Sequence, residues 1–258
     1  MNEVLAYSLV IGIFVGLAAG YLGSLMVLKK MALVGDAMSH VALPGLALGI
    51  VFNFDPFLGA FAVLFGAAVI VWYLGRVTQL SYEALVGTMF TTALAVGILM
   101  IPDLDALEKA LFGNISSVAL FDAMTAAIIS VISIVLTRAI YKNIMLGMIS
   151  EDLAISKGIN IGRVNLLYLL LVSSVVALGI RITGTLLVGF LVIVPAIAAK
   201  NLSMNMHRYS VLSALFAAVS STVGILLSSY LGLPPGPMVV LSGLGVFLGT
   251  IPVKLHMR

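Results

Sequence analysis

The feature that most restricts this chain is its succession of long apolar runs, separated by short polar breaks. Crossing about 30 Å of hydrocarbon takes an α-helix of roughly 20 apolar residues. Nine runs approach that length, near residues 5–28, 32–52, 57–75, 84–101, 117–137, 164–180, 184–199, 209–231 and 238–253. They are continuous, not the alternating ten-residue segments of an outer-membrane barrel. Composition agrees, since 62% of the 258 residues are hydrophobic and only 9% are charged. A soluble domain carries about 25% charged residues. The expected fold is all-α and polytopic, a single membrane domain over residues 1–258. The pair 164–180 and 184–199 is separated only by Arg181-Ile182-Thr183-Gly184, and both members are short. Eight full spans plus a broken one would therefore fit as well as nine. The first run has no leading basic region and no small-residue cleavage site, so it reads as a true span and not a signal peptide.

Charge placement orients the bundle. With the N-terminus outside, the inner connections hold Lys29, Lys30, Arg76, Arg138, Lys142, Lys157, Arg163, Lys200, Arg208, Lys254 and Arg258, and the outer ones only Lys109 and Arg181. Eleven against two is a marked positive-inside asymmetry, which places the C-terminus in the cytoplasm. The outer side then carries Glu3, Asp55, Asp103, Asp105 and Glu108, a face that attracts cations. Bases scattered singly between spans do not suit nucleic-acid binding. The absence of cysteine excludes disulfides, thiolate metal sites and cysteine nucleophiles.

Within the second run lies Gly35-Asp36-Ala37-Met38-Ser39-His40-Val41-Ala42-Leu43-Pro44-Gly45. Ionisable groups in hydrocarbon are costly and mark functional sites. Asp36 and His40 are four residues apart, so a helix places them on one face, one turn from each other. That spacing serves two ligands of one cation, and equally an ion pair that satisfies itself; the residues alone do not choose. Pro44 lacks the amide that would close the turn near His40, and with Ser39, Gly45 and Gly49 it marks a helix that can be broken or closely approached. Counted from Lys29-Lys30 at 1.5 Å per residue, Asp36 lies about 10 Å in, toward the inner mouth.

Two connections have structure of their own. Residues 102–117 place Leu104, Leu107 and Leu111 at helical spacing after a run of acids, the pattern of a short amphipathic outer helix. On the inner side, residues 143–163 form the largest cytoplasmic segment. Ser150 caps a short helix that begins at Glu151-Asp152, runs through Ala154, and stops at Gly158. Charge mixed with Met145, Met148, Ile149, Leu153 and Ile155 suits insertion into a groove on another protein. Among the other polar residues, Glu83 is expected at a helix N-terminus, Asp122 as a helix cap, and Arg181 as an interfacial anchor. Gly12, Gly16 and Gly20 form a packing face.

These residues together resemble the metal-ion ABC importer permease family, the ABC-3 type. The run GDAMSHVALPG carries the most specific part of the likeness. Leu111-Phe112-Gly113-Asn114-Ile115 resembles the family's outer-loop segment, and Glu151-Asp152-Leu153-Ala154 with Gly158 its cytoplasmic coupling helix. Thr183-Gly184-Thr185-Leu186-Leu187-Val188 through Val194-Pro195-Ala196-Ile197-Ala198-Ala199 is similar to its glycine-leucine and proline-alanine run. Pro235-Gly236-Pro237 before the last span also fits. The likeness spans nearly the whole chain. Thr185 and Phe190 depart from the small aliphatics expected in that seventh span.

The resemblance implies a bacterial inner-membrane homodimer, or a dimer of close paralogues, seated on cytoplasmic ATPase subunits. An extracytoplasmic metal-binding protein would deliver the ion. It favours Asp36 and His40 as transient ligands for zinc, manganese or iron(II), with no permanently bound cofactor. Pro44 and Gly45 would supply the helix break beside them, and Glu151, Asp152, Ala154 and Gly158 the ATPase coupling. The chain contains no G-x-x-x-x-G-K-[ST] phosphate loop, so ATP chemistry would belong to the separate chain. The chain would then be a channel and not an enzyme. The alternative is an ion-gradient-driven secondary transporter, with Asp36 as its titrating acid. A membrane metallohydrolase fits poorly, since no H-E-x-x-H pattern exists.

Overall fold

A computed structural model describes residues 2–78, 80–101, 110–112, 118–185 and 188–256. Lipid offers no hydrogen bonds, so a spanning backbone must satisfy itself, and helices do this within one segment. The described residues accordingly contain helices and turns but no strand. In chain order the helices are α1 (Asn2–Leu28), α2 (Ala32–Val41), α3 (Leu43–Val51), α4 (Pro56–Thr78), α5 (Tyr82–Met100) and α6 (Leu120–Ile149). They continue as α7 (Glu151–Ser156), α8 (Ile161–Thr183), α9 (Val188–Leu202), α10 (Met206–Leu231) and α11 (Pro235–His256).

Among the described residues eight helices, with α2 and α3 counted as one, are long and apolar enough to cross a membrane. The ninth apolar helix, α9, has 15 residues. At 1.5 Å per residue it reaches only about 22 Å. The ambiguity between residues 164–180 and 184–199 is thus resolved: α8 is a full span and α9 is the short one. The second run is interrupted at Ala42, with Pro44 in the first turn of α3. Of the expected outer helix, only residues 110–112 are described, and they are helical. Leu104, Leu107, Gly113 and Asn114 lie outside the described residues.

The N-termini explain where the helices begin. Ser81 accepts from the Ala84 amide at 3.3 Å, Asn160 from Arg163 at 3.0 Å, and Asn205 from Arg208 at 2.9 Å. Each cap satisfies one orphan donor. Glu83 follows in the first turn of α5, as expected.

α1 is the centre of the bundle, packed against α6, α8, α9 and α10. A Cβ on Gly16 or Gly20 would strike the backbone of α10 at Ala218 or Ser213, so glycine sets that close approach. The contact is sealed by hydroxyls. Ser213 donates to the Gly20 carbonyl at 2.6 Å, and Ser24 bonds Ser210 at 2.9 Å. On the other side of α1, buried Tyr168 of α8 donates to the Leu22 carbonyl at 3.0 Å.

The two ends of the bundle differ in charge. At one, here the basic end, Lys29 donates to Asn165 at 2.8 Å and lies over the Tyr168 ring. Burial pushes its ammonium down to about 8. Nearby, the Trp72 indole donates to the Gly162 carbonyl at 2.7 Å. At the far end Arg181 pairs with Asp122 at 2.8 Å and stacks against Phe57, joining α4, α6 and α8. Asp122 also accepts from the Ala119 amide at 2.9 Å, so it caps α6 as expected. Arg181 is a partner in this clamp and not a free interfacial anchor. The pair is enclosed enough to couple the three helices. Asp122→Ala and Arg181→Met are each expected to destabilise the protein by about 1–3 kcal/mol. The double variant should cost less than the sum. A double-mutant cycle of unfolding in detergent measures this, and strict additivity would contradict the clamp.

Candidate metal-ion site

Asp36 and His40 lie one turn apart on α2, as their spacing requires. His40 is buried, at 7% exposure, while Asp36 is half-buried. The His40 ring meets the edge of Phe90 on α5, with centroids 5.1 Å apart. Its Nδ1 atom is buried without a hydrogen-bond partner among the described residues.

The surroundings of Asp36 come from the α8–α9 connection. Gly184, at φ +72°, ends α8, a backbone conformation that L side chains rarely adopt. The chain then restarts within the bundle as α9. A Cβ on Gly189, in the first turn of α9, would collide with the Asp36 backbone and its Oδ1 atom. The carboxylate therefore lies flat against the start of α9, where the helix dipole is positive. Interrupted helices that point a terminus at a polar group build ion sites in membrane transporters. Leu202 is 13 residues beyond Gly189, about 20 Å along α9.

Ser39 fixes the register of α2 against this turn. Its hydroxyl lies 2.5 Å from the Thr185 carbonyl and 2.6 Å from the Asp36 carbonyl, sharing one proton between them. On the opposite side, the Thr185 amide donates to the Ala110 carbonyl at 2.9 Å. Thr185, Gly189 and Phe90 were not legible as site residues in the sequence, whereas Ser39 stood among the residues that mark the breakable helix. The one signal was Thr185, which breaks the run of small aliphatics. Phe190, the companion departure, packs against Gly243 of α11, where the missing Cβ leaves room for its ring.

Pro44 cannot donate the amide hydrogen that would close onto the His40 carbonyl, so the helix break stands one turn from the imidazole. Gly45 serves a different end: a Cβ there would strike Gly59 and Ala60, so it brings α3 against α4. The remaining predicted residues stand apart from α2, at the basic end. Ser150 accepts from the Leu153 amide at 3.2 Å and caps α7. Gly158, at φ +75°, follows its end. Ala154 is fully buried, whereas Glu151, Asp152, Leu153 and Ile155 are exposed. Between α7 and the bundle opens a cleft of about 740 Å³ lined by Lys29, Arg76, Tyr82, Glu83, Glu151 and Asn165, among others.

Among the described residues, no group of three or more His, Cys, Asp or Glu side chains could hold a metal ion. The described acid and imidazole that share a face here are the pair Asp36 and His40. An imidazole and a carboxylate suit zinc, manganese and iron(II), and a pair leaves most coordination positions open.

A polytopic bundle with interrupted helices around a half-buried acid and a buried imidazole has the architecture of a membrane permease. The chain belongs to the ABC 3 transport family, whose model matches residues 1–254. It is a multi-pass protein of the bacterial inner membrane. It is similar to the manganese transport system membrane protein MntC of Listeria monocytogenes, 29% identical over 243 residues, covering 93% of this chain and 87% of that one. It is also similar to the high-affinity zinc uptake system membrane protein ZnuB of Buchnera aphidicola from Schizaphis graminum. That likeness is 30% identity over 243 residues, 92% of this chain and 93% of the relative. In solved structures it resembles a chain of PsaBC from Streptococcus pneumoniae in complex with Fab. The TM-score is 0.82 at 28% identity, covering 95% of this chain and 90% of that one.

The contact between Asp36 and Gly189 gives a direct test. Gly189→Ala should cost about 1–3 kcal/mol through overpacking. That corresponds to a fall of roughly 3–10 °C in the thermal midpoint of the detergent-solubilised protein. Gly66→Ala, with open space around the glycine, should leave the midpoint unchanged. Equal midpoints for the two variants would contradict the close packing at Asp36.

Proposed function

We propose that this chain is the membrane-spanning subunit of an ATP-driven importer that carries a divalent transition-metal ion through the Asp36–His40 site. The observation that supports this best is the placement of that pair: a buried imidazole and a half-buried carboxylate at an interrupted helix, with the carboxylate against the positive start of α9. Family membership supplies the transport class. The names of the relatives cited include both manganese and zinc, and iron(II) has the same ligand preferences, so the reading is left at the class of ion.

Two ligands are too few for secure capture and enough for transfer. A second copy related by a two-fold axis would present another Asp36 and His40, giving four donors. Four weakly constrained donors hold a dication long enough to select it and release it. This argues for a homodimer with the site on its axis. The basic end faces the cytoplasm in this reading, because eleven of the thirteen bases lie in the connections assigned there.

The motor is a separate ATPase chain. Its contact is α7, whose exposed Glu151, Asp152, Leu153 and Ile155 stand out from the bundle on the buried foot of Ala154. Mixed apolar and acidic exposure on a short helix suits a groove in a partner. Because Glu151 and Lys29 line the same cleft, displacement of α7 reshapes the space below α2. An extracytoplasmic binding protein would deliver the ion to the far end.

Asp36→Ala and His40→Ala are each expected to abolish uptake of radioactive manganese and zinc by cells, with membrane abundance and ATPase co-purification intact. Unchanged uptake in both variants would overturn the ligand assignment. Leu153→Asp with Ile155→Asp should instead reduce recovery of the ATPase about tenfold or more, leaving membrane insertion unaffected. Transport by the purified chain alone in liposomes under a proton gradient would overturn the ATP-driven reading.

A further inference from the structure

We infer that Thr185 is a third donor at the ion site, an oxygen ligand that adjusts which dication the pair Asp36–His40 accepts. The inference rests on the proposed ligand role of that pair and extends it. Thr185 is fully buried, and its Oγ1 atom has no hydrogen-bond partner among the described residues. An unpaired hydroxyl in a dry interior is costly, so one that is held there calls for a ligand.

Its place is fixed by its own backbone. The Thr185 carbonyl receives the Ser39 hydroxyl at 2.5 Å, and the Thr185 amide is committed to Ala110 at 2.9 Å. With both backbone groups engaged, only the side chain is left uncommitted. Ser39 neighbours His40, and by covalent geometry Oγ1 of a threonine lies within a few ångströms of its own carbonyl. His40, the residue after Ser39, carries a second buried atom without a partner among the described residues, its Nδ1. One orphaned polar atom in the residue after Ser39, one in the residue whose carbonyl Ser39 bonds, and the half-buried Asp36 carboxylate a turn earlier describe a site awaiting a charged occupant.

The residue type matters for selection. A hydroxyl is a hard, neutral oxygen donor. Added to carboxylate and imidazole it favours ions that accept oxygen-rich, higher coordination, such as manganese(II), over zinc(II), which is content with four ligands and nitrogen. Valine has the same shape without the oxygen, and serine keeps the oxygen without the methyl. Alanine lacks both.

The test is uptake of radioactive manganese and zinc in cells lacking other importers. Each variant is expressed with its native partner subunits and normalised to membrane abundance. Thr185→Val should raise the half-saturating manganese concentration about tenfold, change that for zinc by less than about twofold, and leave both maximal rates within about twofold. Thr185→Ser should restore the parental ratio. A purely structural role would lower both maximal rates together, and serine would not rescue the manganese constant selectively. A Thr185→Val protein with the parental manganese and zinc constants would overturn the assignment. If Thr185→Val is lost from the membrane, Thr185→Ser and Thr185→Ala carry the comparison, and equal ion ratios for those two would overturn it. Asp36→Ala and His40→Ala are run alongside. Their loss of uptake with an unaltered Thr185→Val profile removes only the third donor. Their retention of uptake removes the site itself.

Discussion

The hydrogen bond from Ser39 to the Thr185 carbonyl joins the two places where the bundle departs from simple spanning helices. One is α2, which ends at Ala42; the other is the turn after Gly184, from which the short α9 begins. In hydrocarbon each interruption leaves backbone groups that water cannot satisfy, and irregular chain survives only where protein covers it. The two breaks cover each other. Ser39 occupies the carbonyl exposed by one, and Gly189 lets the carboxylate turn of the other lie against the helix start. Without that mutual cover neither Asp36 nor His40 would be held in place.

Around this contact the packing follows the usual economy of membrane helices, in which hydrophobic burial does not distinguish neighbour from lipid. Close approach through Gly16, Gly20, Gly45 and Gly189 replaces it, joined by hydroxyl bonds from Ser213, Ser24 and Tyr168. The same logic explains why apolar residues on α5, α6 and α11 remain outward, for example Leu99, Phe121 and Leu241. They have lipid or a partner to face.

Much of this was legible beforehand. Run length and continuity gave the helices, and the cap at Ser150 and the place of Glu83 in a first turn could be read from polar residues preceding apolar ones. The Asp36–His40 pair stood out because charge inside an apolar run has few innocent explanations. What sequence could not give was partnership across the fold. Arg181 read as a solitary anchor because nothing local reveals Asp122, 59 positions earlier in the chain, as its mate. Gly45 read as allowing a break or a close approach, and only the fold shows that the approach is to Gly59, a fact of packing and not of φ. Thr185 was visible as an oddity, but its meaning depends on Ser39, which is 146 residues away.

The shortness of α9 has an electrical consequence. A helix of about 22 Å in a slab of about 30 Å leaves the rest of the crossing on that side to other protein, such as the buried turn at Thr185 and the Ala110 carbonyl that its amide meets. A resting voltage falls most steeply where the insulator is thinnest. Moving one elementary charge through the whole drop is worth about 2.3 kcal/mol per 100 mV, and twice that for a doubly charged particle. Charge carried across such a bundle therefore meets this voltage through protein on both sides of the break, and not through lipid alone.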